Sequence, residues 1–123
     1  MIKGMGLDMV DIARMGKNLA IARFMERVFT VAEREHIGSG ALSAQRAAGC
    51  FAVKEALAKA LGCGLAGCPL DAVETLRLPS GAPQVRAHGK VQEKLTELGV
   101  TSVWVSITHE AGLAAAVVLL EGD

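Results

Sequence analysis

Aromatic residues, net charge and long apolar runs are what this sequence has least of. Only 3% of its 123 residues are aromatic, and 13 basic residues balance 13 acidic ones to give a formal net charge of zero. Because this balance creates no general positive field, the sequence does not favour unspecific binding to nucleic acid or to an anionic membrane. An acidic partner would have to be bound by a local basic surface.

The longest uninterrupted apolar run covers the eight residues 113–120, whereas a membrane-spanning helix needs about 20. The amino-terminal segment also lacks the basic and then long apolar pattern of a secretory signal. Three cysteines, Cys50, Cys63 and Cys68, form an odd set without C-x-x-C spacing, which favours reduced thiols over a disulfide framework or a zinc site. We therefore expect a soluble cytoplasmic protein.

Hydrophobic residues make up 51% of the chain, which is enough for a globular core, and the length predicts a single domain over residues 1–123. Thr30 and Glu33 form the pattern of a capping box that opens a short helix. The alanine-rich segment 43–61 predicts a long helix that ends at Gly62. The other predicted elements are a strand over 1–12, a basic amphipathic helix over 13–28, a hairpin of strands 71–78 and 84–88, a helix over 90–98, and a second hairpin of strands 102–108 and 113–120.

Helices that alternate with antiparallel hairpins predict an α+β fold, in which the helices cover one face of a mostly antiparallel sheet. The long helix would lie at its centre.

Charged side chains interrupt two apolar segments of this sequence. Glu55 and Lys59 are four residues apart, next to Lys54, and therefore project from one face of the predicted long helix. Such a pair suits a site that holds a divalent cation and a phosphate, although an exposed ion pair is the simpler interpretation. Asp8 lies within the first predicted strand among apolar neighbours, so a buried carboxylate there would need a cation or a hydrogen-bond donor.

Two further patterns allow either binding or a purely structural role. Gly62 and Gly64 could approach a phosphate, or could simply end the helix. Ser106, Thr108 and His109 stand where a predicted strand enters a turn, where they could contact a nucleotide or only shape the turn. The predicted helix 13–28 carries basic residues that form either a docking surface for an acidic partner or a solvated face: Arg14, Lys17, Arg23 and Arg27.

Four segments, in this order, resemble the family of holo-acyl-carrier-protein synthases. They are MIKGMGLD ending at Asp8, FAVKEALAKALGCG from Phe51 to Gly64, GAP ending at Pro83, and VSITHE around His109. Members of this family are 4′-phosphopantetheinyl transferases, which move 4′-phosphopantetheine from coenzyme A to a serine of apo acyl carrier protein and release adenosine 3′,5′-bisphosphate. The resemblance implies the 4′-phosphopantetheinyl transferase fold, a Mg²⁺ cofactor, a role in fatty acid biosynthesis, and a homotrimer with active sites between subunits.

The resemblance also implies roles for individual residues. Asp8 and Glu55 match the magnesium ligands of the family and, with the phosphate-contacting Lys59, form its expected catalytic set. The base that activates the serine stays open between Glu55, a metal-bound water and an acidic residue such as Glu33. The basic helix matches the surface that binds acyl carrier protein. Contacts to coenzyme A are expected from Lys54, Lys59, Gly62, Gly64, Pro83, Ser106, Thr108 and His109.

One position departs from the family pattern. Many relatives carry an arginine directly before the phenylalanine of the long-helix motif, near the nucleotide phosphate, and this chain has Cys50 there. Arg46, one helical turn earlier, is expected to reach the same region and to bind the cofactor in its place.

Two other functions compete with the transferase. One is a non-catalytic trimer that binds a carrier protein or a nucleotide, and the other is a metal-dependent hydrolase of the coenzyme A pyrophosphate.

Overall fold

The computed structural model describes residues 1–64 and 67–123, which form two antiparallel sheets and the helices around them. The elements in chain order are β1 (Ile2–Asp11), α1 (Ile12–Asn18), α2 (Ala22–Val28), α3 (Val31–Ile37), α4 (Ser43–Leu61), a 3-10 turn (Leu70–Ala72), β2 (Val73–Arg77), β3 (Pro83–Ala87), α5 (Gly89–Glu97), β4 (Val100–Glu110) and β5 (Leu113–Gly122). The first sheet has the strand order β1-β5-β4, and β2 pairs with β3 in the second. No helix in the described residues is long and apolar enough to cross a membrane.

The helix α4 packs across one face of the first sheet, at very short distance from β1. Added Cβ atoms at Gly4 and Gly6 would collide with the carbonyl oxygens of Ala60 and Ala56 on α4. Because these two strand positions have no side chain, the backbones of strand and helix can touch. The small residues of α4 contribute to the same close packing, since most of that helix is alanine, glycine or cysteine on its buried sides.

A buried ion pair fixes the opposite side of α4. The Lys54 ammonium donates to the carboxylate of Glu33 on α3 at 2.6 Å and to the carbonyl oxygens of Leu70, at 2.8 Å, and Val73. Glu33 in turn accepts from the backbone N–H of Thr75 at 3.0 Å. Both charged side chains are 0% exposed, and each has several partners, as a buried charge requires.

This pair corrects two expectations. Lys54 does not reach a ligand that arrives from solvent, because its charge is used inside the protein to join α4, α3 and β2. Glu33 is excluded as a base for an incoming serine for the same reason, since both of its carboxylate oxygens already accept hydrogen bonds in the core.

The prediction of one continuous helix over 13–28 is wrong, because the structure has two short helices there. The chain forms α1, then a turn in which the backbone N–H groups of Leu19 and Ile21 donate to Gly16 and Asn18, and then α2. The two helices separate because they pack on different parts of the protein: α1 on α4, and α2 on the 3-10 turn. The capping box at the start of α3, the bounds of α4 and both hairpins are confirmed.

The face of the first sheet that lies opposite α4 stays apolar and open. Met5, Leu7 and Met9 of β1 are 63%, 61% and 62% exposed, and Trp104 of β4 is 58% exposed. Alternate residues of a strand point to opposite faces, so these side chains share the outer face with the half-buried residues of β5 between them: Ala115, Val117 and Leu119. We call this surface the outer sheet face.

Gly6→Ala should destabilise the protein by about 3 kcal/mol, because the new Cβ would force β1 away from α4. Urea unfolding followed by far-UV circular dichroism measures this loss. The control is Gly16→Ala, where the added Cβ meets the Ala44 side chain at an ordinary 3.4 Å inside α1 and helix propensity predicts a gain of about 0.5–1 kcal/mol. Equal stability of the two variants would contradict the close approach of β1 to α4.

Candidate active site

Three charged side chains from β1 and α4 meet on one side of the molecule. Asp8 points to the same face of β1 as Gly6, so the close backbone contact at Gly6 brings its carboxylate next to α4. The Lys59 ammonium donates to Asp8 Oδ1 at 3.1 Å and to the Leu7 carbonyl at 3.0 Å. The simple ion pair within the helix is therefore not the arrangement observed, because Lys59 reaches across to the strand.

Glu55 completes this group. Burial raises the pKa of Glu55, the nearby Asp8 carboxylate raises it further, and Lys59 opposes both effects. Two carboxylates that repel each other beside a single ammonium form a site that a cation would stabilise.

The donor set fits Mg²⁺ bound together with a substrate. Across residues 1–64 and 67–123 there is no group of three or more His, Cys, Asp or Glu side chains placed to hold a metal ion. Mg²⁺ is commonly held by one or two carboxylates, with water and substrate phosphates filling its other positions. Asp8 and Glu55 meet that requirement, and they do not form a site that would bind a metal by protein groups alone.

A cavity of about 340 Å³ opens beside these carboxylates. Asp8, Glu55 and Arg14 of α1 line it, and so do Phe24 and Phe51, whose rings stack with centroids 6.5 Å apart. The cavity therefore offers charge for phosphates and an apolar surface next to it.

Sequence reasoning missed two groups at this cavity. The sequence patterns gave no role to Phe24 or to Asp11. Asp11 lines the cavity and also caps α1, with its Oδ1 accepting from the backbone N–H of Arg14 at 2.9 Å. The spacing of Asp11 before a helical segment was a usable signal, because aspartate is a preferred helix cap.

The strand-end residues do not join the carboxylates within one chain. Ser106 and Thr108 line a shallow depression with Leu7 on the outer sheet face, which is the face of the sheet away from Asp8. His109 points to the side of α4, where the amide Nε2 of Gln45 donates to its ring Nε2 at 3.1 Å.

The remaining expected coenzyme contacts lie at different places. Gly62 caps α4 in the left-handed conformation, with φ 71°, and its N–H donates to the carbonyl of Lys59 at 3.0 Å. Gly64 has open space around its Cα, so the backbone there is accessible. Pro83 begins β3 and pairs with Arg77 in the second sheet.

Arg46 does not line this cavity, and its contact with coenzyme A stays a prediction. Arg46 precedes Glu55 by nine positions, so the two project from opposite sides of α4. Burial lowers the pKa of His36, and the nearby guanidinium groups of Arg77 and Arg46 lower it further. Cys50 is also turned inward, being 0% exposed, and burial raises the pKa of its thiol to about 12.

The predicted docking residues lie on both sides of the break between α1 and α2. Arg14 lines the cavity, and Arg23 and Arg27 line a groove that shares Phe24 with it. The side chains of these arginines and of Lys17 are exposed. The splitting of the predicted helix therefore leaves a basic surface next to the cavity.

Comparison with known proteins decides the family. The family model described as the 4′-phosphopantetheinyl transferase superfamily matches residues 4–118. The chain belongs to this family. A holo-acyl-carrier-protein synthase of Syntrophus aciditrophicus is 41% identical over 99% of this chain and 98% of the relative.

Solved structures of the family agree in fold. The holo-acyl-carrier-protein synthase of Neisseria meningitidis superposes with a TM-score of 0.87 at 27% identity, covering 98% of this chain and 99% of that chain. The synthase of Helicobacter pylori in complex with coenzyme A gives 0.84 at 31% identity, covering 95% and 99%. The predicted α+β fold and the resemblance to this family are both confirmed.

Glu55→Gln should raise the melting temperature at pH 7 by about 1–3 °C in metal-free buffer. Because its pKa is raised in the folded protein, ionisation of Glu55 costs stability as the pH rises through the folded pKa. Below the ordinary value of 4.5 the carboxyl is protonated in both folded and unfolded states, so the difference between variant and wild type should shrink.

Thermal unfolding at pH 7 and pH 4 measures this effect, and the exposed Glu35→Gln on α3 is the matched control. A Glu55→Gln protein that melts at or below the wild-type temperature at pH 7 would show that Glu55 carries no electrostatic strain.

Proposed function

We propose that this chain transfers 4′-phosphopantetheine from coenzyme A to a serine of an acyl carrier protein, with Mg²⁺ as its cofactor, in support of fatty acid biosynthesis. The meeting of Asp8, Glu55 and Lys59, of which the two carboxylates line the cavity, carries the proposal. These groups are what the breaking of a pyrophosphate bond needs, namely carboxylates that hold a divalent cation and an ammonium that binds phosphate.

Asp8 and Glu55 would hold the metal ion, and Lys59 would bind the pyrophosphate. When bound, Mg²⁺ neutralises charge on the pyrophosphate oxygens as the phosphorus–oxygen bond breaks. Lys59 is 56% exposed at its side chain, so its ammonium can turn from Asp8 toward an incoming phosphate. Placed there, it stabilises the negative charge that develops on the leaving adenosine 3′,5′-bisphosphate.

The serine proton must pass to a group at the cavity. Three candidates for this base were considered from the sequence. Because Glu33 is held in the core, Glu55 and a water molecule at the metal position remain. In the metal-free protein, burial and then the Asp8 carboxylate raise the pKa of Glu55, which makes it a stronger base than an ordinary glutamate.

Acyl carrier protein would bind at the basic surface formed by α1 and α2. Acidic proteins are attracted to exposed arginine and lysine side chains, and this attraction increases the rate of association. Because Arg14 lines the cavity and Arg23 and Arg27 line the groove next to it, a carrier on this surface would present its serine close to Asp8 and Glu55.

The active site is proposed to be shared between the subunits of a homotrimer. Ser106 and Thr108 lie on the outer sheet face, away from Asp8 of the same chain, so contacts from them to the same coenzyme A require a neighbouring chain. The outer sheet face also brings together several exposed apolar side chains, and Met5, Leu7 and Trp104 are each more than half exposed. Such a surface is suited to burial between subunits.

Leu7→Glu should dissociate the trimer, because a carboxylate in the middle of the outer sheet face would lose its solvation on association. Size-exclusion chromatography with light scattering should give three times the chain mass of 12.8 kDa for wild type and the chain mass for the variant. Leu98→Glu, at an exposed leucine beyond α5, is the control and should stay trimeric. A monomeric wild type at micromolar concentration would refute shared sites.

The transfer itself is tested by intact-protein mass spectrometry of apo acyl carrier protein after incubation with the enzyme, coenzyme A and Mg²⁺. A mass gain of one phosphopantetheine group is expected. Glu55→Gln, Asp8→Asn or a chelator should each reduce the rate by at least about 100-fold, since metal binding and charge stabilisation are lost together.

The outcomes separate the competing functions. Bisphosphate release without a mass gain would indicate hydrolysis of coenzyme A. Carrier protein that is captured by the chain but never modified would indicate a binding module, and either result would overturn the transferase.

A further inference from the structure

A hydrogen bond between α4 and β4 holds the ring of His109. The amide nitrogen Nε2 of Gln45 donates to the ring nitrogen Nε2 of His109 at 3.1 Å. Gln45 is half-buried and His109 is exposed. Across residues 1–64 and 67–123 this is the one hydrogen bond that the His109 side chain makes, so its other ring nitrogen, Nδ1, is available to a ligand.

The packing of α4 along β4 brings the two side chains together. One helical turn after Gln45, a Cβ added at Gly49 would lie 3.3 Å from Cγ2 of Ile107, which is two residues before His109 on β4. Four helical residues advance about 6 Å and two strand residues about 7 Å. A helix and a strand that run in opposite directions can therefore make both contacts, and the missing side chain at Gly49 lets them approach.

An amide nitrogen determines the protonation of the ring nitrogen that it faces. The NH₂ group of a glutamine has two donors and no acceptor, so the ring nitrogen opposite it must carry a lone pair. In a neutral imidazole one nitrogen accepts and the other carries the proton. The contact of Gln45 with Nε2 of His109 therefore selects the tautomer that has its proton on Nδ1.

The same ring faces a second cavity. His109 lines a space of about 290 Å³ at the end of the β4–β5 hairpin, together with Met9, Thr108 and Glu110. The two nitrogens of an imidazole point in different directions, so a ring bound to α4 through Nε2 can present Nδ1–H to this space. An N–H donor there suits the oxygen atoms of a phosphate.

We propose that Gln45 is a positioning residue, which holds neutral His109 in the Nδ1–H tautomer so that Nδ1 donates to a phosphate oxygen of coenzyme A. This inference rests on the proposed function, with the contact between His109 and coenzyme A that the family resemblance implies. Gln45 acts through the ring and does not touch the coenzyme. Without Gln45 the proton is shared between the two ring nitrogens, and the donor faces the phosphate for only part of the time.

The tautomer is measured by nuclear magnetic resonance on the full-length protein labelled with ¹⁵N-histidine, at about pH 9, where histidine side chains are neutral. His109→Ala assigns the signals among the three histidines of the chain. In wild type, Nδ1 of His109 should have the chemical shift of a protonated nitrogen and Nε2 that of an unprotonated one. An even mixture or the opposite pattern would overturn the proposal.

Variants at position 45 separate an effect on the tautomer from a merely structural one. Gln45→Arg still donates and should keep the proton of His109 on Nδ1, whereas Gln45→Glu only accepts and should move the proton to Nε2. The matched control is Gln92→Ala on α5, which removes an amide that donates to Thr96 at 3.2 Å and should leave the His109 signals unchanged. A His109 pattern that is the same in all three variants would contradict the role of Gln45.

Binding of coenzyme A, measured by isothermal titration calorimetry, tests whether Gln45 acts through the ring. Gln45→Ala should raise the dissociation constant about 5-fold, which corresponds to one hydrogen bond. In a His109→Ala background the same change should have no further effect, because the ring through which Gln45 acts is gone. Effects that add independently would show that Gln45 contacts the coenzyme itself, and its positioning role would be refuted.

Failure of the proposed function gives a different result. A wild type that binds no coenzyme A would overturn both the proposed function and the role of Gln45. A wild type that binds coenzyme A and modifies the carrier protein, but has the proton of His109 on Nε2, would overturn the role of Gln45 alone.

Discussion

The site depends on the direct contact between the backbone of β1 and the carbonyl groups of α4. At Gly4 and Gly6 the strand has no side chains to separate it from Ala60 and Ala56. The next side chain of β1 on this face is Asp8, and the short separation of the two elements places its carboxylate within 3.1 Å of Lys59. Any larger residue at Gly6 would move the carboxylate away from the helix, so two glycines without chemistry of their own determine the geometry of the charged groups.

Adjacent residues of α4 illustrate two ways in which a protein treats a charge. Lys54 is completely buried and has a carboxylate and two carbonyl groups as partners. Glu55, the next residue, projects about 100° further around the helix. There it lies near the Asp8 carboxylate, and the single ammonium of Lys59 does not balance the two negative charges. The first arrangement is electrostatically complete and holds the helix in place. The second is incomplete, which is what a site for a cation and a phosphate requires.

Features that depend on neighbouring residues along the chain were predictable. The bounds of α4 follow from an alanine-rich segment and a glycine cap, and the start of α3 follows from the Thr30 and Glu33 pattern. The predicted helix over 13–28 failed because the turn near Leu19 reflects packing of its two halves on different parts of the protein. Asp8, Glu55 and Lys59 were found as candidates, but their relative positions were not, since strand and helix are 47 residues apart between Asp8 and Glu55.

The sequence by itself determined the family, the elements and the charged residues that are available for chemistry, because periodicity, caps and motif spacing are local properties of the chain. Only the tertiary structure decided which charges are buried and which are exposed. Lys54 and Lys59 lie on the same helix and look alike in sequence, yet one is 0% exposed and the other is largely exposed. The physical reason is that desolvation and ion pairing are set by groups distant in sequence: Glu33 and β2 for Lys54, and the strand β1 for Lys59.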